Sequence, residues 1–150
     1  MKLLIVEDNE QLAEITARLL RSIDQGTRCI ETITLVGDME AAIAQLSQHD
    51  AVLCDGRFPL SQKTPVVAEE WDVVRNEAWR RGIHFVLYSG CIRSLNGARQ
   101  SQTPALSKPA TVEEIYTTLT RVGRSAFNVP RSASTGAGTG NAEMEANPPV

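Results

Sequence analysis

Residues 51–60 read AVLCDGRFPL: four apolar residues, then Asp55 directly before Gly56, with Pro59 four positions after the acid. A short all-apolar run of this kind suits a strand covered on both faces of a sheet. A chain leaving such a sheet can do so on Asn, Ser or Gly, without holding a charge at the low-dielectric edge of a core. Asp and Gly are also common turn residues, so taken alone the pair reads first as a strand terminator with a solvated carboxylate. The other strand ends decide between the two.

LLIV at 3–6 is a second all-apolar run and closes on Glu7 and Asp8. Asn9 is placed to cap a helix over residues 10–23, whose Leu12, Ile15, Leu19 and Ile23 recur at helical spacing and are expected on its buried face. IETITLV at 30–36 alternates and carries threonines, as an edge strand does. Asp38 then caps a second helix with Met39, Ala42, Ile43 and Leu46 on one face. After the 51–54 strand and an irregular loop, Thr64-Pro65 is expected to open a third helix with proline at its first position. That helix would turn Val67, Trp71, Val74 and Ala78 inward and end at Gly82. IHFVLY at 83–88 is the fourth strand, followed by Ser89, and a short fifth strand around Leu106 is followed by Lys108. The last helix begins with the capping box Thr111-Val112-Glu113-Glu114 and is expected to bury Val112, Ile115, Leu119 and Val122. Between the fourth and fifth strands, CIRSLNGARQ contains Asn96-Gly97, with only Ile92 and Leu95 as large apolar residues. A fourth helix there is expected to be short or mobile.

Composition narrows the function. A chain of 150 residues, 42% hydrophobic and 22% charged, suits one globular domain. Its net charge of -3, and the absence of any Lys/Arg run longer than Arg80-Arg81, argue against binding nucleic acid through phosphate neutralisation. Cys29, Cys54 and Cys91 show no C-x-x-C spacing, which supports neither a disulfide framework nor a zinc site. No apolar run is long enough for a membrane span or a signal peptide, so a soluble cytoplasmic protein is expected. From Arg124 the periodicity stops, and residues 124–150, rich in Gly, Pro, Ser and Thr, are expected to form a disordered tail or linker after a domain over 1–123. GAGTGN at 136–141 is no phosphate loop, because neither a strand precedes it nor a helix follows.

Alternating β-α units predict a doubly wound α/β fold with a five-stranded parallel sheet in the order 2-1-3-4-5. Ligands of such sheets sit beyond the carboxyl ends of the strands. Glu7, Asp8, Asp55, Ser89 and Lys108 all fall on that edge. Each has a bland reading by itself: Asp8-Asn9 as a helix start, Ser89-Gly90 as a turn, Lys108-Pro109 as a solvated link. Their convergence favours one pocket. Crowded carboxylates repel and drift upward in pKa unless a lysine or a hard divalent cation compensates them. His49 and His84 read as packing or surface residues, Cys54 as an inert buried thiol, and Trp71 and Trp79 as one core and one more exposed ring.

LLIVEDN, LCDGRFP, LYSG and LSKP, in this order over about residues 1–123, resemble the motifs of response-regulator receiver domains, which have the flavodoxin-like fold. The resemblance implies a phosphoacceptor at Asp55 and a Mg²⁺ ion. Asp8, Asp55 and the backbone carbonyl of Arg57 would hold that ion directly, and Glu7 would do so through water. It further implies that Lys108 pairs with Asp55 and later with its phosphoryl oxygens, and that Ser89 supplies a hydroxyl whose recruitment draws the following loop inward. The implied partners are a histidine kinase or histidine phosphotransfer protein as donor and a downstream protein target. A stand-alone signalling domain rather than an enzyme is expected. One departure stands out: Ala105 lies three positions before Lys108, where the family often has an aromatic residue. Two other readings remain, a pseudo-receiver that only docks a partner, and an aspartyl-nucleophile phosphatase. Phosphatases of the haloacid-dehalogenase kind carry D-x-D on the first strand, whereas here the acid is on the third strand with Arg57 two positions on.

Overall fold

Strands β1 (Lys2–Val6), β2 (Thr32–Val36), β3 (Ala51–Cys54), β6 (His84–Ser89) and β7 (Ala105–Ser107) form a parallel five-stranded sheet in the order β2-β1-β3-β6-β7. This is the expected doubly wound order, with a two-stranded hairpin, β4 (Phe58–Pro59) and β5 (Val67–Ala68), inserted before the fourth sheet strand. The structure is a computed structural model; it describes residues 1–64 and 66–127, the last stretch, 122–127, through its backbone alone. Among the described residues no helix is long and apolar enough to cross a membrane.

The all-apolar strands are explained by the layers on either side. Successive strand side chains point to opposite faces, so Leu4, Val6 and Val52 pack with Ala42 and Leu46 of α2 (Met39–Gln45) and its following 3₁₀ turn. On the same face stand Val74 of α3 (Trp71–Arg80) and Ala98 of α4 (Ile92–Gln100). Leu3, Ile5 and Leu53 pack on the other face with Leu20 of α1 (Glu10–Ile23) and Ile115 and Leu119 of α5 (Val112–Phe127). Each fully buried leucine contributes about 1.5–3 kcal/mol relative to exposure. Asn9 and Asp38 cap their helices as expected, accepting from the N–H groups of Leu12 and Ala41. The capping box of α5 is reciprocal: Glu114 N–H donates to the Thr111 hydroxyl and Thr111 N–H to the Glu114 carboxylate. That helix continues past Gly123 to Phe127, and the rest of the expected tail, 128–150, lies outside the described residues, as does the Val122 side chain.

Three expectations are corrected. The third helix does not open at Thr64-Pro65 but at Trp71, and Pro65 lies outside the described residues. Phe58 is fully buried and pairs with Ala68 while Pro59 pairs with Val67, so the β-branched Val67 serves a strand and stays 42% exposed rather than turning inward. Leu60 O accepts from Glu40 N–H at 3.0 Å, which ties this insertion to α2.

The fourth helix forms over nine residues, Ile92–Gln100, with Gly97 inside it. Its buried residues are the small Ser94 and Ala98. A Cβ on Gly97 would stand 3.4 Å from the Trp71 ring, so the glycine is where α4 approaches α3, and packing outweighs its helix penalty of about 1 kcal/mol.

Helix α1 likewise buries Ala13, Thr16, Ala17 and Leu20, while Ile15 and Leu19 remain 49% and 48% exposed. The buried stripe is rotated from the one that the large residues mark. Arg75 of α3 places its guanidinium 5.1 Å from the buried Trp71 ring and 5.0 Å from the exposed Trp79 ring. It also donates to the hydroxyls of Ser101 and Thr103.

Candidate functional site

Backbone pairing brings the polar strand ends together. Beyond β1, Glu7 N–H donates to Val36 O; beyond β3, Asp55 N–H donates to Val6 O; beyond β7, Lys108 N–H donates to Ser89 O. Each residue therefore leaves the sheet in register with its neighbour. Carboxylate oxygens of Glu7, Asp8 and Asp55 lie within 4.8 Å of one another. Lys108 Nζ reaches into them, 2.8 Å from Glu7 Oε2 and 3.4 Å from Asp55 Oδ1, and also stands 5.1 Å from the Tyr88 ring centre. The Lys108-Pro109 peptide is cis. Asn9 N–H donates to the other Glu7 oxygen, and Gly56 N–H donates to Asp55 Oδ1 at 2.6 Å.

Electrostatics follow from this crowding. Burial pushes the Glu7 carboxyl above its ordinary pKa; the Lys108 hydrogen bond opposes the shift and the Asp55 charge adds to it. Burial also raises Asp55, against the pull of Lys108 and of the Gly56 N–H. For Lys108, burial alone would lower the pKa, but the Glu7 hydrogen bond and the neighbouring acids outweigh it and the net shift is upward. The single ammonium faces three carboxylates, an oxygen-rich and under-neutralised donor set of the kind that fits a hard divalent cation.

Ser89 is buried on the same edge and its Oγ accepts from Cys91 N–H at 3.0 Å. It also approaches the backbone after Asp55, since a Cβ on Gly56 would lie 2.4 Å from Ser89 Oγ. Gly56 is thus required by close approach, a role that the D-G pair did not reveal. Arg57 is exposed, with its guanidinium 3.8 Å from Glu69. Glu69 also stands 4.0 Å from Arg93 and accepts from the Cys91 thiol at 3.6 Å; nothing in its sequence context marked it. Ala105 is exposed on the edge strand β7 and pairs with Leu87, so no aromatic side chain projects from that position. Cys54 is fully buried, and burial drives its thiol pKa up, as expected for an inert thiol. His49 is buried with both ring nitrogens bonded, to Gln45 O and the Thr34 hydroxyl.

No protein-family model matches the chain, and no curated protein matches it. Solved structures do match in fold. The response regulatory domain of protein mrkE from Klebsiella pneumoniae superposes with a TM-score of 0.65 at 16% identity, covering 85% of this chain and 98% of that one. The receiver domain of the Francisella response regulator 1452 gives 0.58 at 16% identity, covering 84% and 96%. Chemotaxis protein CheY4 of Vibrio cholerae gives 0.58 at 18% identity, covering 81% and 97%. The chain has the fold of response-regulator receiver domains.

Proposed function

We propose that this chain is a receiver domain that accepts a phosphoryl group on Asp55 from a phosphohistidine of a histidine kinase or histidine phosphotransfer protein. A downstream protein target then reads the resulting change of surface. The observation that carries this reading is the meeting of Lys108 with Glu7 and Asp55 at the ends of β7, β1 and β3, 2.8 and 3.4 Å away. An Asp55 carboxylate oxygen forms the new O–P bond as the donor's N–P bond breaks, and the electron pair returns to the imidazole nitrogen, which takes up a proton. Lys108 holds Asp55 by charge and later pairs with the phosphoryl oxygens. Asp8, Asp55 and the Arg57 carbonyl, with Glu7 through water, would hold Mg²⁺, which when bound supplies the positive charge that lets an anionic donor approach these acids. The Ser89 hydroxyl supplies a neutral donor to the same group after giving up the Cys91 N–H. An aspartyl phosphatase would place a second acid two positions after the nucleophile, and Arg57 stands there, directed at Glu69.

The test is intact-mass measurement after incubation with phosphoramidate and Mg²⁺. One phosphoryl group is expected, stable to acid and labile to base and hydroxylamine, and it is absent in Asp55→Asn and in EDTA. A mass gain that persists in Asp55→Asn or in EDTA would overturn the mechanism, and no gain at all would leave an interaction module.

A further inference from the structure

Cys91 is the N-cap of α4 and no side chain caps that end. Ser94 is at position N3, the position from which a side chain, most often the longer Glu or Gln, reaches back to accept the N–H of the N-cap residue in a capping box. Here that N–H is taken by Ser89 Oγ instead, at 3.0 Å. Ser94 Oγ is buried, its residue 2% exposed, and has no hydrogen-bond partner among the described residues. An unmatched buried hydroxyl is unfavourable and is rarely left so. Ser89 and Ser94 also crowd one point: a Cβ on Gly56, next to the phosphoacceptor, would lie 2.4 Å from Ser89 Oγ and 2.8 Å from Ser94 Oγ.

We infer that Ser94 is a positioning residue that exchanges with Ser89 for the Cys91 N–H. This rests on the reading of Asp55 as phosphoacceptor. In the unmodified protein Ser89 holds the Cys91 N–H and Ser94 is idle. When a phosphoryl group draws the Ser89 hydroxyl toward Asp55, the part-buried N–H is released, and the buried Ser94 hydroxyl turns to accept it. The count of satisfied groups then rises in the loaded state, because the hydroxyl idle before becomes bonded while Ser89 finds a phosphoryl oxygen. The exchange reshapes the first turn of α4 and carries the signal into a helix without an aromatic residue at 105. Two packings that differ by one hydrogen bond make a bistable element of the kind such switches need.

The test uses the full chain with beryllofluoride and Mg²⁺ as the phosphoryl analogue, and reads amide exchange at Cys91 by NMR in wild type, Ser94→Ala and Ser94→Thr. In the loaded state the Cys91 amide is expected to exchange about threefold to tenfold faster in Ser94→Ala than in wild type, the effect of one net hydrogen bond on a local opening. Ser94→Thr, which keeps the hydroxyl, restores protection. In the unloaded state Ser94→Ala is expected to show wild-type protection at Cys91, since Ser89 holds that N–H, and a melting temperature equal to or above wild type. Equal protection in all three loaded proteins would overturn the exchange, and so would loss of beryllofluoride binding in Ser94→Ala, since the relay lies downstream of the loaded site. If wild type itself takes up neither beryllofluoride nor a phosphoryl group, the phosphoacceptor reading fails and the exchange fails with it.

Discussion

Lys108 makes its shorter contact with Glu7, at 2.8 Å across 101 residues of chain, and its longer one, 3.4 Å, with Asp55. The expected partner, Asp55, is therefore the less tightly held acid in the unmodified protein. This leaves one Asp55 oxygen shared by Lys108 and the Gly56 N–H, while Glu7 anchors the lysine from the neighbouring strand end.

Lys108→Ala leaves the buried Glu7 carboxylate and the half-buried Asp55 without their cation. Stability at pH 7 without metal is expected to fall by about 1–3 kcal/mol, below the full cost of breaking a buried pair because Lys108 is partly solvated. Urea unfolding measures it, and adding Glu7→Gln to Lys108→Ala should recover part of the loss. An unchanged midpoint for the single variant would show that the pair is solvated away.

Glu7 and Asp55 are both raised in the fold, so their neutral forms are the better tolerated. Their contribution therefore worsens as pH rises from the unfolded carboxyl range, about 4, through their folded values, and stays unfavourable above them. A divalent cation binds the ionised forms. Mg²⁺ is expected to raise the melting temperature more at about pH 7, well above the unperturbed carboxyl range, than at about pH 4, within it, and less in Asp55→Asn. A Mg²⁺ effect independent of pH would count against these acids as its ligands.

Asp24 has the opposite sign. Burial would raise it, but hydrogen bonds from the Tyr116 hydroxyl, the N–H groups of Ile30 and Cys29 and the Thr27 hydroxyl hold it below the usual range, and Tyr116 is pushed up to about 12. Its stabilisation is present above the unfolded Asp value, about 3.9, and is lost as pH falls through the lower folded value. Asp24→Ala strands several donors and is expected to cost about 2–4 kcal/mol. It should also flatten the acid limb of the stability curve; an acid limb unchanged in the variant would refute the assignment.

Gly56→Ala is expected to destabilise by about 1–3 kcal/mol through overpacking. The cause is steric, since the new Cβ would lie 2.4 and 2.8 Å from two hydroxyls. Gly82→Ala, in open space but at φ +72°, tests the other kind of glycine and should cost about 1 kcal/mol through backbone strain alone. Equal unfolding midpoints for wild type and Gly56→Ala would mean that the two serines move aside freely.

The alternation of apolar runs with capped helices was legible because both are local. A strand covered on both faces must be apolar at every position, and caps answer N–H groups a few residues away. The strand order and the gathering of Glu7, Asp8, Asp55, Ser89 and Lys108 on one edge followed from those elements and from the handedness of crossovers. Which face of a helix is buried, and whether a weak helix forms, depends on how closely its partners let it approach. Helix α1 buries Ala13, Thr16 and Ala17 beside Leu20 and leaves Ile15 and Leu19 half exposed; α4 forms around a glycine set against Trp71. Most of the buried positions on these two helices are small, because close packing of backbones selects small side chains, so the large apolar residues alone do not mark the interface. Tertiary structure likewise decided that Phe58 pairs with Ala68 and Pro59 with Val67 in a hairpin, that Lys108 favours Glu7, and that Asp24 is held by Tyr116 from 92 residues away. Such distant contacts leave no periodic trace in the chain: their energies arise only when the layers have closed.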